Sequence, residues 1–289
     1  MIGIKEYNKK IGSLKNTRKM TKTMKMVSAS KFKRAYKSQS NAQVYAQQLE
    51  SLLRRLSGVD AELHPLMKVS PVVNKALVVL FSSDRGLCGG FNNNLIRQLR
   101  QWMQENKYKF MKVDLVCCGR RGYNAFRKSD QVKKYYENIT LKPNFEDAMQ
   151  LVTDLSKSFT SKEYDEVYLA YNQFKSPLSQ VPMVERLFPL NLDAMGKQSP
   201  EEGCNGYILE PGPQTLFYSL ISNFINFKVY FTLLENAAGE HGARMTAMDN
   251  AARNTAEMID RYTLLRNRAR QAMITTELIE IISGAEALK

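Results

Sequence analysis

Hydrophobic positions near the start of the chain recur in steps of three and four: Ile4, Tyr7, Ile11 and Leu14, and later Ala42, Tyr45, Leu49, Leu52 and Leu56. A repeat of this period predicts a helix with one apolar seam, the pattern of coiled-coil pairing. No proline precedes Pro65 and no glycine lies between Gly12 and Gly58, so a single helix can run through the whole segment. From Ile4 to Ser57 it would reach roughly 80 Å at about 1.5 Å per residue, far more than a small domain is wide, and must pack on something else. Between the two seams, "KNTRKMTKTMKMVSASKFKRAYK" offers Met20, Met24, Val27 and Phe32 as its larger apolar groups. These do not continue either seam, and the heptad phase is expected to slip there.

The other end of the chain has the same character. No proline follows Pro213, and only Gly239 and Gly242 interrupt the run before Gly284. Steps of four and three from Phe227 give Phe231, Leu234, Ala238, His241, Met245, Met248, Ala252, Thr255, Ile259 and Tyr262, and beyond them Arg266, Ala269, Met273 and Thr276. A separate cluster, Ile274, Leu278, Ile279, Ile281 and Ile282, closes the chain. Two long terminal helices with matching heptads satisfy each other most economically as an antiparallel coiled coil.

Between them the pattern changes to short runs rich in β-branched residues. Strands are predicted at 76–82, 113–119, 132–139, 166–174 and 183–190, and helices at 93–105, 123–128 and 145–160. This alternation indicates an α/β domain with a largely parallel sheet. The expected fold class is therefore α/β plus long helices: an antiparallel coiled coil of the terminal helices with a central Rossmann-like domain. The domain boundaries fall at 1–58, 67–212 and 213–289.

Charge sharpens this picture. The 289 residues carry a net charge of +14, and fourteen Lys or Arg against two acids stand in the first 58. The first helix is free of acids between Glu6 and Glu50. Such a surface calls for a polyanionic or acidic partner. The four cysteines, Cys88, Cys117, Cys118 and Cys204, form no metal-binding spacing, and with two histidines in the chain a zinc site is not expected. No apolar run approaches the ~20 residues that span a bilayer, so any membrane association is expected to be peripheral.

The motif "SSDRGLCGGFNN" lies between a predicted strand and a predicted helix, where nucleotide-binding loops occur. Its glycines, Gly86, Gly89 and Gly90, fit neither GxGxxG nor GxxxxGK[ST], and the reading preferred is a structural turn. Of the two histidines, His64 sits in a predicted loop and His241 on the predicted helical seam, where packing is the commoner role; Cys88 has no partner base nearby in sequence, and "CCGRRGYNAFRK" reads as a solvated turn. The residues alone leave two classes open: a basic coiled coil that binds nucleic acid, and a nucleotide-binding enzyme built on the middle domain.

Three runs, "IKEYNKKIGSLKNTRKMTKTMKMVSASKFKRA", "SSDRGLCGGFNNNL" and "NRARQAMITTELIEIISGAEAL", resemble the gamma subunits of F-type ATP synthases, in the same order and over nearly the whole chain. The resemblance implies a non-catalytic rotor shaft inside a hexamer of alpha and beta subunits. In that family the ion-driven membrane c ring turns the shaft, and the nucleotide chemistry of ATP synthesis belongs to the beta subunits. By the same resemblance Met24, Lys25, Arg270 and Gln271 match coupling contacts to a beta subunit, and Thr275, Glu277 and Glu280 match positions that act against the N-terminal helix. Tyr207 and Glu210 match the foot that meets the epsilon subunit and the c ring. No cofactor, metal, nucleic acid or direct membrane contact is implied. The start "MIGIKEY", without a transit peptide, implies a bacterial protein on the cytoplasmic face of the inner membrane.

Overall fold

A computed structural model describes residues 3–55, 64–191, 210 and 212–286. Helix α1 spans Ile4–Arg55 and helix α5 Pro213–Glu286. The chain divides into two compact units, one of Met1–Ser28 with Met245–Lys289, the other Ala29–Arg244.

In the larger unit the strands are β1 (Lys75–Phe81), β2 (Lys112–Cys118), β3 (Val132–Tyr136), β4 (Glu166–Phe174) and β5 (Gln180–Phe188). They form one sheet in the order β3-β2-β1-β4-β5. Its first four strands are parallel and β5 runs antiparallel on β4. Helices α2 (Phe91–Glu105), α3 (Arg120–Phe126) and α4 (Phe145–Thr160) connect them. Alternate residues of β1 supply two cores. Ala76, Val78 and Leu80 pack with Leu95 and Leu99 of α2 and Phe126 of α3. Leu77, Val79 and Phe81 pack with Leu151 and Leu155 of α4 and with Phe217, Ile221, Ile225 and Val229 of α5. A strand covered on both faces has no reason to alternate, which is why it reads as a continuous apolar run.

The predicted strands and helices are all present, and α4 has the expected bounds because its start is written locally. Asn144 caps it by accepting from the Glu146 amide, with Glu146 and Asp147 in the first turn. By contrast α3 begins at Arg120 rather than 123. Its free amides are taken by distant groups: Arg120 N donates to Asp84 Oδ1 at 3.0 Å and Gly122 N to Ser82 Oγ at 2.8 Å. Nothing in the local sequence announces such a cap.

In the smaller unit α1 and α5 run antiparallel. Tyr7 packs on Tyr262, Lys10 lies over the same ring, and Lys25 pairs with Asp249, so positions rise on one helix as they fall on the other. The heptad phase does not slip, which corrects the expectation. Buried and half-buried positions of α1 fall at Ile4, Tyr7, Ile11, Leu14, Thr21, Lys25 and Ser28. In the larger unit they continue through Phe32, Ala35, Gln39, Ala42, Ala46, Leu49 and Leu53. Several of the apolar groups chosen from sequence stand beside this seam: Met20 is 65% exposed, Val27 51%, Tyr45 52% and Leu52 44%, whereas Phe32, Ala42 and Leu49 lie on it. Small and polar residues fill the middle of the seam, so a search for large apolar ones finds their neighbours.

Candidate functional site

The strand order places a topological switch between β1 and β4. The chain turns to β2 and β3 on one side and β4 and β5 on the other, with α2 and α3 on one face and α4 on the other. In doubly wound folds the crevice beyond the strand ends at this point is where a ligand binds. Here helix α5 fills it. Asn236 approaches the Ser82 carbonyl at 3.5 Å, and Arg244 donates to the carbonyls of Gly86 at 3.1 Å and Arg85 at 3.3 Å. Arg244 also binds Glu240 Oε1 at 2.6 Å, and the two side chains are 9% and 2% exposed.

This polarity opposes a phosphate. The turn offers carbonyl oxygens to a guanidinium, and the Glu240 carboxyl lies beside it. Burial pushes that carboxyl above its ordinary range while Arg244 draws it back. Some amides of the turn are used within it: Ser83 N donates to Asn92 Oδ1 at 2.9 Å, Phe91 N to the Cys88 carbonyl at 3.3 Å and Asn94 N to the Gly90 carbonyl at 2.8 Å. Gly89 provides the φ of 59° that the turn requires. The expected structural turn is thus a seat for α5.

Gly239 and Gly242 of α5 belong to the same seat. A Cβ at Gly239 would stand 3.0 Å from the Phe91 ring, and one at Gly242 3.1 Å from Pro177 Cα. Helix α5 is buried on every side from Thr232 to Glu240.

Neither candidate nucleophile nor base is set for chemistry. Burial pushes the Cys88 thiol up, and Asn92 Nδ2 lies 3.1 Å from its sulfur. His241 is held down at about 4 by burial and by Arg244, whose Nη1 is 3.3 Å away. Among the described residues no group of three His, Cys, Asp or Glu is placed to hold a metal ion. No helix among them is long and apolar enough to cross a membrane.

The residues singled out by resemblance fall in three places. Met24 and Lys25 are half-buried on α1. Lys25 Nζ lies 2.6 Å from Asp249 Oδ1 on α5, a partner absent from the sequence reading. Its signal was an acid one step from the α5 seam, between Met248 and Ala252. Arg270, Gln271, Thr275, Glu277 and Glu280 are exposed on α5. Thr275, Glu277 and Glu280 lie beyond the described contact of Arg266 with the N-terminal helix. By Arg266, 3.5 Å from Asn8, the antiparallel partner is within two turns of its described start, and among the described residues α5 continues alone. Glu210 is exposed, and Tyr207 lies outside the described residues.

A family model described as ATP synthase matches residues 3–288. Curated relatives called ATP synthase gamma chain include that of Trichlorobacter lovleyi, 41% identical, and that of Geobacter sp. strain M21, 43% identical. Each alignment covers the whole of both chains. Among solved structures, the chain is similar to one from the central stalk and c ring of Tetrahymena thermophila mitochondrial ATP synthase. The TM-score is 0.60 at 27% identity, covering 80% of this chain and 99% of that one. A chain of the Euglena gracilis mitochondrial ATP synthase rotor shares the fold, with a TM-score of 0.66 at 20% identity over 94% of this chain and 98% of that one. With its long terminal helices, five-stranded sheet and full-length relatives, the chain belongs to the ATP synthase gamma-chain family, the central stalk of the F-type enzyme.

Proposed function

We propose that the chain is the non-catalytic rotor shaft that couples ion-driven turning of a membrane ring to ATP synthesis or hydrolysis on beta subunits of a surrounding hexamer. The observation that carries this reading is the end of α5. From Arg270 to Ala285 every residue is exposed, and Met273, Ile274, Leu278, Ile279, Ile281 and Ile282 are among them. An apolar helix end with water on all sides needs a surrounding partner to bury it. A hexamer of alpha and beta subunits supplies one.

The exposed cations of α1, among them Lys5, Lys9, Lys15, Arg18, Lys19 and Lys22, then face carboxylates of the beta subunits. Individually weak contacts between exposed charges suit a surface that is made and broken at each turn. Met24, Lys25, Arg270 and Gln271 are the proposed coupling residues toward a beta subunit, with Thr275, Glu277 and Glu280 beside them on the tip. Tyr207 and Glu210 would meet the epsilon subunit and the c ring. The similarity to a chain from a solved central stalk with its c ring supports these partners. The proposed location is the cytoplasmic face of a bacterial inner membrane, held there through the ring.

The test is reconstitution with alpha and beta subunits and observation of single complexes. ATP-driven rotation of a bead fixed to the α/β unit is the expected result, and a stable chain that never joins an ATP-hydrolysing hexamer would sink the reading. Binding to DNA that falls steeply with salt and persists after the hexamer is added would favour the nucleic-acid alternative.

A further inference from the structure

In the smaller unit the large apolar contacts of the seam, Ile11, Ile259 and Tyr7 on Tyr262, lie toward one end, and around Lys25, apart from Met248, the seam is short of features that fix how far along each other the helices sit. Its buried members include Thr21 and Ser28 on one helix and Ala252 and Thr255 on the other. The two threonine hydroxyls are spent within their own helices. Thr21 Oγ1 donates to the carbonyls of Thr17 and Arg18 at 3.1 and 3.0 Å, and Thr255 Oγ1 to that of Ala251 at 2.6 Å. Small side chains and inward-bonded hydroxyls fit a neighbour displaced by one turn nearly as well as the neighbour present, because size contrast is what makes knobs select holes.

Lys25 breaks that degeneracy. It stands at a seam position where the repeat calls for an apolar residue, and its ammonium lies 2.6 Å from Asp249 Oδ1. Asp249 Oδ2 is 3.4 Å from Arg253 of its own helix, so the carboxylate is bracketed by one cation from each helix. The Lys25 and Arg253 charges together hold the Asp249 carboxyl below its ordinary range, with the Lys25 hydrogen bond the largest cause. One turn out of register, Asp249 would face Thr21 or Ser28, and Lys25 would face Met245 or Ala252. In neither alignment would the ammonium meet a carboxylate.

We propose that the Lys25–Asp249 pair pins the axial register of the helix pair, and that Lys25 influences coupling as a positioning residue, through Asp249, rather than only as an outward contact. A polar pair at a seam position is the best-attested way for a coiled coil to specify register. Because both side chains are about two-fifths exposed, the pair adds little to stability, and its loss leaves the helices associated while admitting displaced alignments. The consequence for coupling rests on the shaft reading above. A displaced helix carries its outward groups to the wrong level of the surrounding subunits.

The test uses Lys25→Glu, Asp249→Lys and the double exchange of both. In the free full-length chain, carrying Cys204→Ser, spin labels are placed at Lys15→Cys and Arg261→Cys, which are exposed on α1 and α5. The wild-type pair and the double exchange give one narrow interlabel distance, and each single reversal gives a second or broadened one. In the assembled membrane complex, each single reversal lowers the number of ions moved per ATP hydrolysed by roughly two- to fivefold, the range that one exposed pair can shift an equilibrium, and the double exchange restores it. Unchanged distances and an unchanged ratio in the single reversals overturn the proposal. So does a double exchange that stays as poor as the singles. A wild-type chain that fails to join the hexamer overturns the shaft reading and the coupling role with it, while the distance measurement on the free chain still decides the register.

Discussion

Arg244 shows what one side chain can do that its sequence neighbourhood does not disclose. In "GARMTAMD" it follows an expected seam, and nothing local says that its guanidinium closes on two backbone carbonyls more than 150 residues away. Carbonyl partners have no side-chain signature, so this contact was out of reach of the pattern. Replacing Arg244 by Ala strands the buried Glu240 carboxylate and is expected to lower the unfolding free energy of the free chain by about 3 kcal/mol or more in a denaturant titration. Glu240→Gln with Arg244 intact costs less, because a neutral amide tolerates the site. A second buried acid, Glu235, makes stability depend on pH. Burial raises its carboxyl to about 7, against which a bond from the Phe174 backbone and the charges of Lys175 and Lys228 act, while Glu185 adds to the rise. The folded chain thus holds this proton more tightly than the unfolded one, and stability falls as pH climbs from about 4.5 to 7. His241, lowered to about 4, works the other way: its contribution is full above 6.5 and is lost as pH drops. Glu235→Gln is expected to gain about 3 kcal/mol at pH 8 and almost nothing at pH 4, read from unfolding curves at the two pH values.

At the scale of elements, legibility follows the origin of each element's instructions. Helix α4 could be read to the residue because its cap and apolar stripe are local. Helix α3 could not, since Ser82 and Asp84 cap it from another turn. The terminal helices were legible as a pair through their period, yet the members of the α1 seam were misjudged where Thr21, Lys25 and Ser28 take places usually given to leucine. The free end of α5 makes a separate prediction. A chain ending at Ala269 loses a stretch exposed on all sides, so its thermal midpoint should stay within about 2 °C of the full chain while helical ellipticity drops. Assembly with the hexamer is where the loss should be felt. A fall in midpoint of 5 °C or more would mean that the tip folds back on the rest.

For the molecule as a whole, family signature and fold agree, and the division of labour between them is instructive. Strand positions and the α/β class followed from composition and alternation. What occupies the crevice at the β1–β4 switch did not, because it is settled by a helix more than 150 residues further on. The opening that in related architectures receives a nucleotide is closed by Asn236, Glu240 and Arg244. The isolated chain should therefore show no heat of ATP binding in calorimetry at millimolar ligand, with or without magnesium. Saturable binding at that concentration would mean that α5 can leave its seat.

The seat also orders events during synthesis. Nine successive residues of α5, Thr232 to Glu240, are covered on every side. The wall that covers them, including Phe81 and Phe91, is translated well over a hundred residues earlier. At about 5–20 residues per second, the ribosome exposes that wall for several seconds before its cover emerges. The sheet thus waits unfinished, with an apolar trough open to solvent, and the last quarter of the chain completes a core begun in the first third. A nascent chain stalled before Pro213 is the form of this protein most in need of a chaperone.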